Sequence, residues 1–187
     1  TTGRDGVDFF PKGHHPMGNH LCFWLIDLFI AQGIEELNPR GPGMGRITVH
    51  LHGKTKDKAS AMLIEMYGKR LEQRSIRCVM HSGKLTPQSY VTQLLAMSGE
   101  LVLLDEGGIL ESSIPFSKRV EQWGLSTGDV HLAIGPAEGW PKDDTVTGLS
   151  RLSLSPMTFP HELASVMLVE QLYRATEISR GSGYHKA

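Results

Sequence analysis

The sequence predicts an α/β fold with a mostly parallel β-sheet. Between residues 46 and 178, segments of strand length alternate with amphipathic segments of helix length. Residues 100–104 and 130–134 are almost entirely apolar, which is typical of strands buried on both faces of a parallel sheet. Strands that alternate with helices along a chain favour this fold class, because parallel neighbours are joined by helical crossovers.

Each element follows from its own pattern. Residues 46–53 alternate apolar and polar side chains and predict a strand, and residues 76–80 and 151–154 predict two more. Residues 58–74, 87–98, 113–123 and 161–178 place apolar side chains at helical spacing. The side chains predicted to face inward on the first, second and last of these helices are Ala59, Met62, Leu63, Met66, Tyr67, Val91, Leu94, Leu95, Leu163, Val166, Met167, Leu172 and Ala175.

Residues 1–45 are predicted to form a separate N-terminal extension, and residues 46–187 the main domain. A cluster of proline and glycine over residues 39–45 predicts the linker between them. The extension contains one apolar segment, residues 19–37, which predicts a helix that must pack against the main domain or a partner. Its longest apolar run contains Asp27 and Gln32 and is too short and too polar to span a bilayer, so no membrane association is predicted.

Charge is distributed unevenly along a chain whose net charge is −1. Residues 46–87 carry nine Lys or Arg and three Asp or Glu, a local charge of +6, which can form a phosphate-binding face or an ordinary solvated helix surface. The two cysteines, Cys22 and Cys78, form no CxxC pair, and no GxGxxG or P-loop motif occurs. Zinc ribbons, thioredoxin sites, Rossmann dinucleotide sites and P-loop nucleotide hydrolysis are therefore not supported.

Three predicted strand ends carry the residues that can face a ligand. Residues 103–108, 134–139 and 154–161 are rich in Gly, Pro, Ser or Thr, and ligands of open α/β sheets bind at the carboxyl ends of strands. By composition alone, ordinary strand-to-helix turns remain the simpler interpretation. His50 and His52 lie two apart on one strand face, a spacing that can suit a metal but is more often that of polar-face residues. His14, His15 and His20 have no acidic or cysteine partner at ligand spacing, so no metal site is predicted.

Six segments resemble one known family in order and spacing. They are Val-His-Leu-His-Gly-Lys at 49–54, Leu-Asp-Glu-Gly-Gly at 104–108, Ile-Gly-Pro-Ala-Glu-Gly at 134–139, Leu-Ser-Leu-Ser-Pro-Met-Thr-Phe-Pro-His at 152–161, Val-Glu-Gln-Leu-Tyr-Arg at 169–174 and Tyr-His-Lys at 184–186. The pattern is similar to that of the bacterial-type pseudouridine N3-methyltransferases of large-subunit rRNA, which belong to the SPOUT (α/β knot) superfamily. The resemblance covers residues 46–187 and is most specific from residue 152 onward.

The resemblance implies a fold, a cofactor and a dimer. The fold would be an α/β knot, in which the C-terminal segment forms a trefoil knot, a rare topology. The family acts as a homodimer and uses S-adenosylmethionine as its methyl donor. Each cofactor pocket lies near the dimer interface. Carried onto this chain, the cofactor residues are Leu104, Gly135, Pro136, Leu154, Ser155, Pro156, Met157, Thr158, Phe159 and Pro160.

The resemblance also implies catalytic and RNA-binding residues. Tyr184, His185, Lys186 and Arg174 would lie beside the reactive methyl group and the RNA. N3 of a uracil ring is a weak acid and must lose its proton, which favours His185 as base and Lys186 or Arg174 as stabiliser of the anion. The predicted RNA contacts are Lys54, Lys56, Lys58, Arg174 and Lys186. Large-subunit rRNA or a pre-ribosomal particle would be the substrate.

Two departures from the family pattern leave a second function open. Gly135-Pro136 replaces a pair of glycines, and Gly107 replaces an arginine. Proline has no N–H to donate, so a catalytically weak or inactive SPOUT-fold assembly factor that binds rRNA is the alternative, and a different RNA substrate is a third. The extension predicts a mitochondrial location, with plastid or bacterial cytoplasm as alternatives, and a contact with a ribosomal or assembly-factor partner.

Overall fold

The structure, a computed structural model, describes residues 45–185. The strands are β1 (Ile47–His52), β2 (Ile76–His81), β3 (Glu100–Leu110), β4 (Val130–Ile134) and β5 (Ser150–Ser153). The helices are α1 (Lys58–Glu72), α2 (Pro87–Leu95), α3 (Ser113–Leu125) and α4 (His161–Ser179), with a short 3-10 helix at Asp144–Val146. Within these residues, no helix is long and apolar enough to cross a membrane.

The five strands form one parallel sheet in the order β2-β1-β4-β3-β5. The predicted α/β class with a mostly parallel sheet is therefore confirmed. The C-terminal trefoil knot and the domain boundary at residue 45 stay predictions. The predicted helix at residues 19–37, like the rest of the extension up to residue 44, lies outside the described residues.

Strand β3 is longer than the predicted residues 100–104. It continues to Leu110 and pairs with β5 on both sides of an irregularity between Leu104 and Ile109. Gly108 makes this pairing possible, because a Cβ atom there would lie 2.7 Å from the backbone of Arg151 and Leu152. The residues directly after Leu104 are polar or glycine, so the pattern of apolar side chains does not predict the second part of this strand.

Helices cover both faces of the sheet and enclose two cores. Helices α1, α3 and α4 bury the larger core against all five strands, and Leu71, Trp123 and Leu172 are among its members. Helix α2 covers the other face with a smaller core around Tyr90, Leu94 and Leu103. Each apolar strand therefore contributes side chains to both cores, as predicted for strands buried on two faces.

Several side chains predicted to face inward are exposed instead. On α1, Met62, Leu63 and Met66 are 70%, 40% and 36% exposed, whereas Ile64 and Leu71 are buried. The prediction for these three residues was wrong because α1 is apolar on more than one side, and its contacts with α4 and β2 select the buried side. Leu95 and Leu163, also predicted to face inward, are exposed as well.

Three histidines from adjacent strands form a hydrogen-bonded chain beneath α2. His50 Nδ1 lies 2.9 Å from His81 Nε2, and His50 Nε2 lies 3.0 Å from His131 Nδ1. His131 Nε2 lies 3.0 Å from the Ser98 carbonyl, which can only accept, so His131 must donate from that nitrogen. With neutral rings, His50 then donates from Nε2 to His131 Nδ1 and accepts at Nδ1 from Nε2 of His81.

Burial, followed by the neighbouring His81 and His131, lowers the pKa of His50 from its ordinary 6.5 to about 3. A histidine whose pKa falls on folding binds fewer protons in the folded state than in the unfolded state. Its contribution to stability is therefore complete above pH 6.5 and is lost as the pH falls from 6.5 towards 3. The hydrogen-bonded histidines that order this layer at neutral pH therefore destabilise it in acid.

We expect the free energy of unfolding to fall by about 3 kcal/mol between pH 7 and pH 4 because of His50. Urea unfolding of the wild type and of His50→Gln at a series of pH values measures this. The variant should be less stable at pH 7 and should depend less on pH below 6.5. His52→Gln, on the same face of β1 but outside the chain, is the control. An equal pH dependence in the wild type and His50→Gln would contradict the assignment.

Candidate functional site

The carboxyl ends of β4 and β5, and the point at Leu104 where the regular pairing of β3 ends, surround a cavity of about 630 Å³. This volume lies in the range of roughly 300–1,000 Å³ that is typical of small-molecule sites. Its lining residues are Leu104, Asp105, Glu106, Ile134, Gly135, Pro136, Ala137, Glu138, Gly139, Trp140, Leu154, Ser155, Met157, Thr158, Phe159, Pro160, His161 and Ala164.

Most residues predicted to bind the cofactor meet in this cavity. Those lining it are Leu104, Gly135, Pro136, Leu154, Ser155, Met157, Thr158, Phe159 and Pro160, and they come from three segments. Pro156 does not line the cavity and is exposed. Parallel strands bring these segments to one edge of the sheet. Their role as cofactor ligands stays a prediction.

Trp140 is the largest lining residue that the sequence analysis missed. Its indole Nε1 donates a 2.9 Å hydrogen bond to the carbonyl of Leu104. The same ring lies against Gly135, where a Cβ atom would approach it to 3.1 Å, and stacks on Tyr90 with ring centroids 6.0 Å apart. Trp140 therefore joins the ends of β3 and β4. Only the pairing of these strands brings it to Leu104, so no local sequence signal could identify it.

Pro136 is accommodated in a turn at the end of β4. Its side chain is buried, and its carbonyl accepts a 2.9 Å hydrogen bond from the N–H of Gly139. The turn thus uses the Pro136 carbonyl and does not require the N–H that proline lacks. The fold of this loop is compatible with proline.

The cavity has a negative electrostatic character. Three carboxylates line it, those of Asp105, Glu106 and Glu138, and no lysine or arginine does so among residues 45–185. Asp105 forms a 2.5 Å ion pair with Arg151 of β5, and Thr158 donates its hydroxyl to Glu106. These contacts hold the irregular part of β3 against β5 and against the loop after β5. An excess of carboxylates favours a ligand with positive charge.

Two of the predicted catalytic residues, Tyr184 and Arg174, belong to a cluster around Glu170 of α4. Glu170 Oε1 accepts a 3.0 Å hydrogen bond from the Tyr184 hydroxyl and a 2.5 Å hydrogen bond from Arg174. The Arg174 guanidinium lies over the Tyr184 ring, 5.1 Å from its centroid, and the Tyr184 hydroxyl is 3.3 Å from that of Tyr67. Glu170 and Tyr67 were not predicted as site residues. Their contacts with Tyr184 depend on the course of the chain after α4.

The protonation state of this cluster follows from its contacts. Burial, then the hydrogen bonds with Tyr67 and Glu170, raises the pKa of Tyr184 above its ordinary value. Tyr184 therefore stays protonated at neutral pH and donates to Glu170. His185 Nδ1 is buried without a hydrogen-bond partner among the described residues. Lys186, the remaining predicted catalytic residue, lies outside them.

The cavity and the Tyr184 cluster are separate within one chain. Neither Tyr184, His185 nor Arg174 lines the cavity. The cavity extends along α4 as far as Ala164, whereas Tyr184 contacts Glu170. The six-residue step from Ala164 to Glu170 corresponds to about 9 Å along the helix axis. One chain alone therefore does not bring the predicted catalytic residues to the predicted cofactor site.

The predicted RNA-binding lysines follow β1 beside the cavity. Lys54, Lys56 and Lys58 are exposed, and the backbone of this loop is bound to α4. The N–H groups of Lys56 and Asp57 donate to the two carboxylate oxygens of Glu162, at 2.8 and 3.1 Å. These hydrogen bonds lower the pKa of Glu162, so its carboxylate holds the loop at neutral pH.

Several cations of the positively charged segment at residues 46–87 have partners. Lys69 pairs with Glu65 at 2.6 Å, and Arg74 pairs with Glu177 at 2.7 Å. Arg70 lies over the rings of Tyr67 and Tyr173. Glu65 is already counted in the charge of +6, whereas Glu177 lies outside the segment and offsets part of it.

Comparison with known proteins agrees with this geometry. Residues 45–185 match the family described as "Predicted SPOUT methyltransferase". The "Ribosomal RNA large subunit methyltransferase H" of Synechococcus sp. (strain CC9605) is 41% identical over 124 residues, which cover 66% of this chain and 85% of that protein. The protein of the same name from Sorangium cellulosum (strain So ce56) is 36% identical over 143 residues, which cover 74% of this chain and 98% of that protein.

The family match spans every described element, from the residue before β1 to His185. The relatives are matched over most of their own length. The chain therefore belongs to the SPOUT methyltransferase family.

Proposed function

We propose that this chain transfers a methyl group from S-adenosylmethionine to N3 of a pseudouridine in large-subunit rRNA. The observation that carries the proposal is the cavity at the ends of β3, β4 and β5, in which the family's cofactor segments meet. The named activity of the two relatives supports the choice of rRNA as substrate.

The cavity has the chemistry that this cofactor requires. S-adenosylmethionine carries a positive sulfonium that supplies an electrophilic methyl group when the cofactor is bound. The carboxylates of Glu106 and Glu138 favour that charge, while Leu104, Met157 and Phe159 offer apolar surface to the rest of the molecule. The Leu104 carbonyl accepts one hydrogen bond from Trp140 and has a second lone pair that can accept from the cofactor.

We infer that two copies of the chain are needed for one complete site. Within one copy, the Tyr184 cluster lies about 9 Å from the cavity along α4, and none of its residues lines the cavity. Exposed apolar side chains occur on β3, α3, α4 and the loop after β5, and they provide surface for a second copy. They are Ile109, Leu110, Ile114, Met157 and Leu163. A symmetric dimer would then place the Tyr184 cluster of one copy at the cavity of the other.

In that arrangement the C-terminal residues supply the base and the anion contacts. His185 removes the proton from N3, and Arg174 stabilises the negative charge that develops on the ring. Glu170 holds Arg174 and Tyr184 in place through its 2.5 and 3.0 Å hydrogen bonds. Lys186 is proposed to contact the RNA with Lys54, Lys56 and Lys58.

The alternative, an inactive assembly factor, rests on the two departures from the family pattern, Pro136 and Gly107. The turn after β4 forms without an N–H at residue 136, so Pro136 is compatible with the cavity. A pre-ribosomal particle remains the proposed partner, and a ribosomal or assembly-factor contact through residues 1–45 stays a prediction. A mitochondrial location also stays a prediction, which organelle fractionation tests against plastid or bacterial cytoplasm.

We expect Trp140→Phe to bind S-adenosylmethionine about fivefold more weakly, because the variant lacks the hydrogen bond to Leu104, a loss of about 1 kcal/mol. Isothermal titration calorimetry measures the dissociation constants of the wild type and the variant. Trp123→Phe, in the core away from the cavity, should leave the dissociation constant unchanged. Absence of wild-type binding at millimolar cofactor would contradict the enzymatic proposal and favour the assembly factor.

We expect the wild type to methylate large-subunit rRNA, free or in ribosomal particles, and His185→Ala to be at least about 100-fold slower, since general bases contribute 10²–10⁴-fold. Mass spectrometry of digested RNA identifies 3-methylpseudouridine. The calorimetric dissociation constant for the cofactor and the affinity for RNA should not change. Full activity of His185→Ala with unchanged RNA binding would show that His185 is not the base.

We expect Leu163→Asp to separate the two copies, because a buried carboxylate without a partner opposes association. Sedimentation velocity should give a dimer for the wild type and a folded monomer for the variant, and the monomer should not methylate RNA. A methylating monomer would contradict the two-copy site.

A mixing experiment supplies a second test of the same arrangement. His185→Ala retains an intact cavity, and Ala164→Phe fills the cavity but retains the C-terminal residues. Equal amounts of the two inactive variants, exchanged into mixed dimers, should recover about one quarter of wild-type activity in a symmetric dimer. No recovery from folded mixed dimers would indicate that each copy uses its own residues.

A further inference from the structure

The carboxyl edge of the sheet is divided into two halves. The cavity takes up the ends of β4, β3 and β5, whereas β1 and β2 end beside it in the sheet order β2-β1-β4-β3-β5. Both of these strands end in similar segments, His52-Gly53-Lys54 after β1 and His81-Ser82-Gly83-Lys84 after β2. The second half of the edge has no role in the proposed cofactor site.

The two segments are in direct contact through their glycines. His52 and His81 are register partners, and the N–H of Gly53 donates a 3.2 Å hydrogen bond to the His81 carbonyl. A Cβ atom on Gly83 would lie 3.1 Å from the Cα of Gly53. Gly53 also has a φ of +75°, a conformation that side chains disfavour. The contact therefore depends on glycine at residue 53 and leaves little room at residue 83.

This contact places two lysines close together. Each lysine directly follows one of the touching glycines, so the Cα atoms of Lys54 and Lys84 are at most about 12 Å apart. Side chains of this length can bring both ammonium groups to one phosphate or to two neighbouring phosphates. Both lysines are exposed, and neither forms an ion pair among residues 45–185.

The surrounding charges leave this half of the edge positive. Residues 52–58 and 81–87 contain Lys54, Lys56, Lys58 and Lys84, and their single carboxylate is that of Asp57. The carboxylate of Glu162 also lies against this loop, so four lysines face two carboxylates. Asp57 accepts a 2.7 Å hydrogen bond from the N–H of Ser60 and caps α1. The cavity beside it is lined by carboxylates, so the two halves of the edge differ in sign.

The carboxylate of Glu162 connects the two halves. It binds the N–H groups of Lys56 and Asp57, and it directly follows His161, which lines the cavity. The lysine loop is thereby held at the cavity rim. A polyanion bound on the lysines would present the next part of its chain to the cavity.

We propose that Lys54 and Lys84, held together by the contact between Gly53 and Gly83, bind backbone phosphates of the RNA next to the methylated nucleotide. The proposal rests on the proposed function and names the part of the surface that positions its substrate. Lys54 was predicted as an RNA contact from the sequence, whereas Lys84 enters only because β1 and β2 are neighbours. Phosphate contacts set the position of an RNA on a protein without reading its sequence.

The test uses the full chain and a fluorescein-labelled 20-nucleotide RNA hairpin with pseudouridine in its loop. Fluorescence anisotropy gives the dissociation constant over a range of salt concentrations. For Lys54→Ala/Lys84→Ala we expect the slope of log affinity against log salt to fall in magnitude by about 1.4, and the dissociation constant to rise roughly 25-fold at 0.1 M salt. Lys54→Arg/Lys84→Arg should retain both values.

The matched control is Arg77→Ala/Lys118→Ala, which removes the same charge from exposed positions on β2 and α3 away from the carboxyl edge. It should change the dissociation constant for RNA less than about twofold. Calorimetry with S-adenosylmethionine and circular dichroism should be unchanged in all variants. Equal RNA affinity and salt slope in Lys54→Ala/Lys84→Ala and the wild type would overturn this inference alone. A wild type that binds no RNA would overturn the proposed function with it.

Discussion

The parallel pairing of β3 with β4 and β5 is the constraint on which the rest of the structure depends. It brings the ends of three strands, separated by up to 50 residues in the chain, to one edge, where their loops surround the cavity. The pairing is close enough to require Gly108, and it is reinforced by the ion pair of Asp105 with Arg151. Trp140 adds a hydrogen bond from the loop after β4 to Leu104. The shape of the cavity is therefore a consequence of backbone pairing more than of any single lining residue.

The same edge explains how one small domain can serve two chemically different ligands. A cavity lined by carboxylates suits a sulfonium cofactor, and the neighbouring lysines suit a phosphate backbone. Keeping the charges on separate strand ends prevents the lysines from neutralising the cavity. Glu162 joins the two regions through its hydrogen bonds to the N–H groups of Lys56 and Asp57. Helix α4 then extends from the cavity to the Tyr184 cluster, and its length makes a second copy the simplest source of the catalytic residues.

Polar groups also organise the layer beneath α2, where a purely apolar core would be expected. The chain from Ser98 through His131, His50 and His81 satisfies the ring nitrogens that face one another, and it fixes one tautomer for each ring. Tyr90 lies against both His81 and Trp140, so this polar layer is in contact with the wall of the cavity. Acid conditions that charge His50 would thus weaken the layer that supports this wall of the cavity.

The sequence by itself determined the α/β class, the order of the five strands and four α-helices along the chain, and the segments that line the cavity. Strand and helix periods are local properties, and the strand ends of a parallel sheet share one edge. It did not predict the last six residues of β3 or the 3-10 helix at Asp144–Val146. It could not select the buried side of α1, since Met62 and Leu63 are as apolar as Ile64 and only the contacts with α4 decide. Nor could it bring Trp140 to Leu104, Glu170 to Tyr184 or Lys84 to Lys54. These contacts join residues that are far apart in the chain or lie beyond the end of an element, and only the tertiary structure determines where they meet.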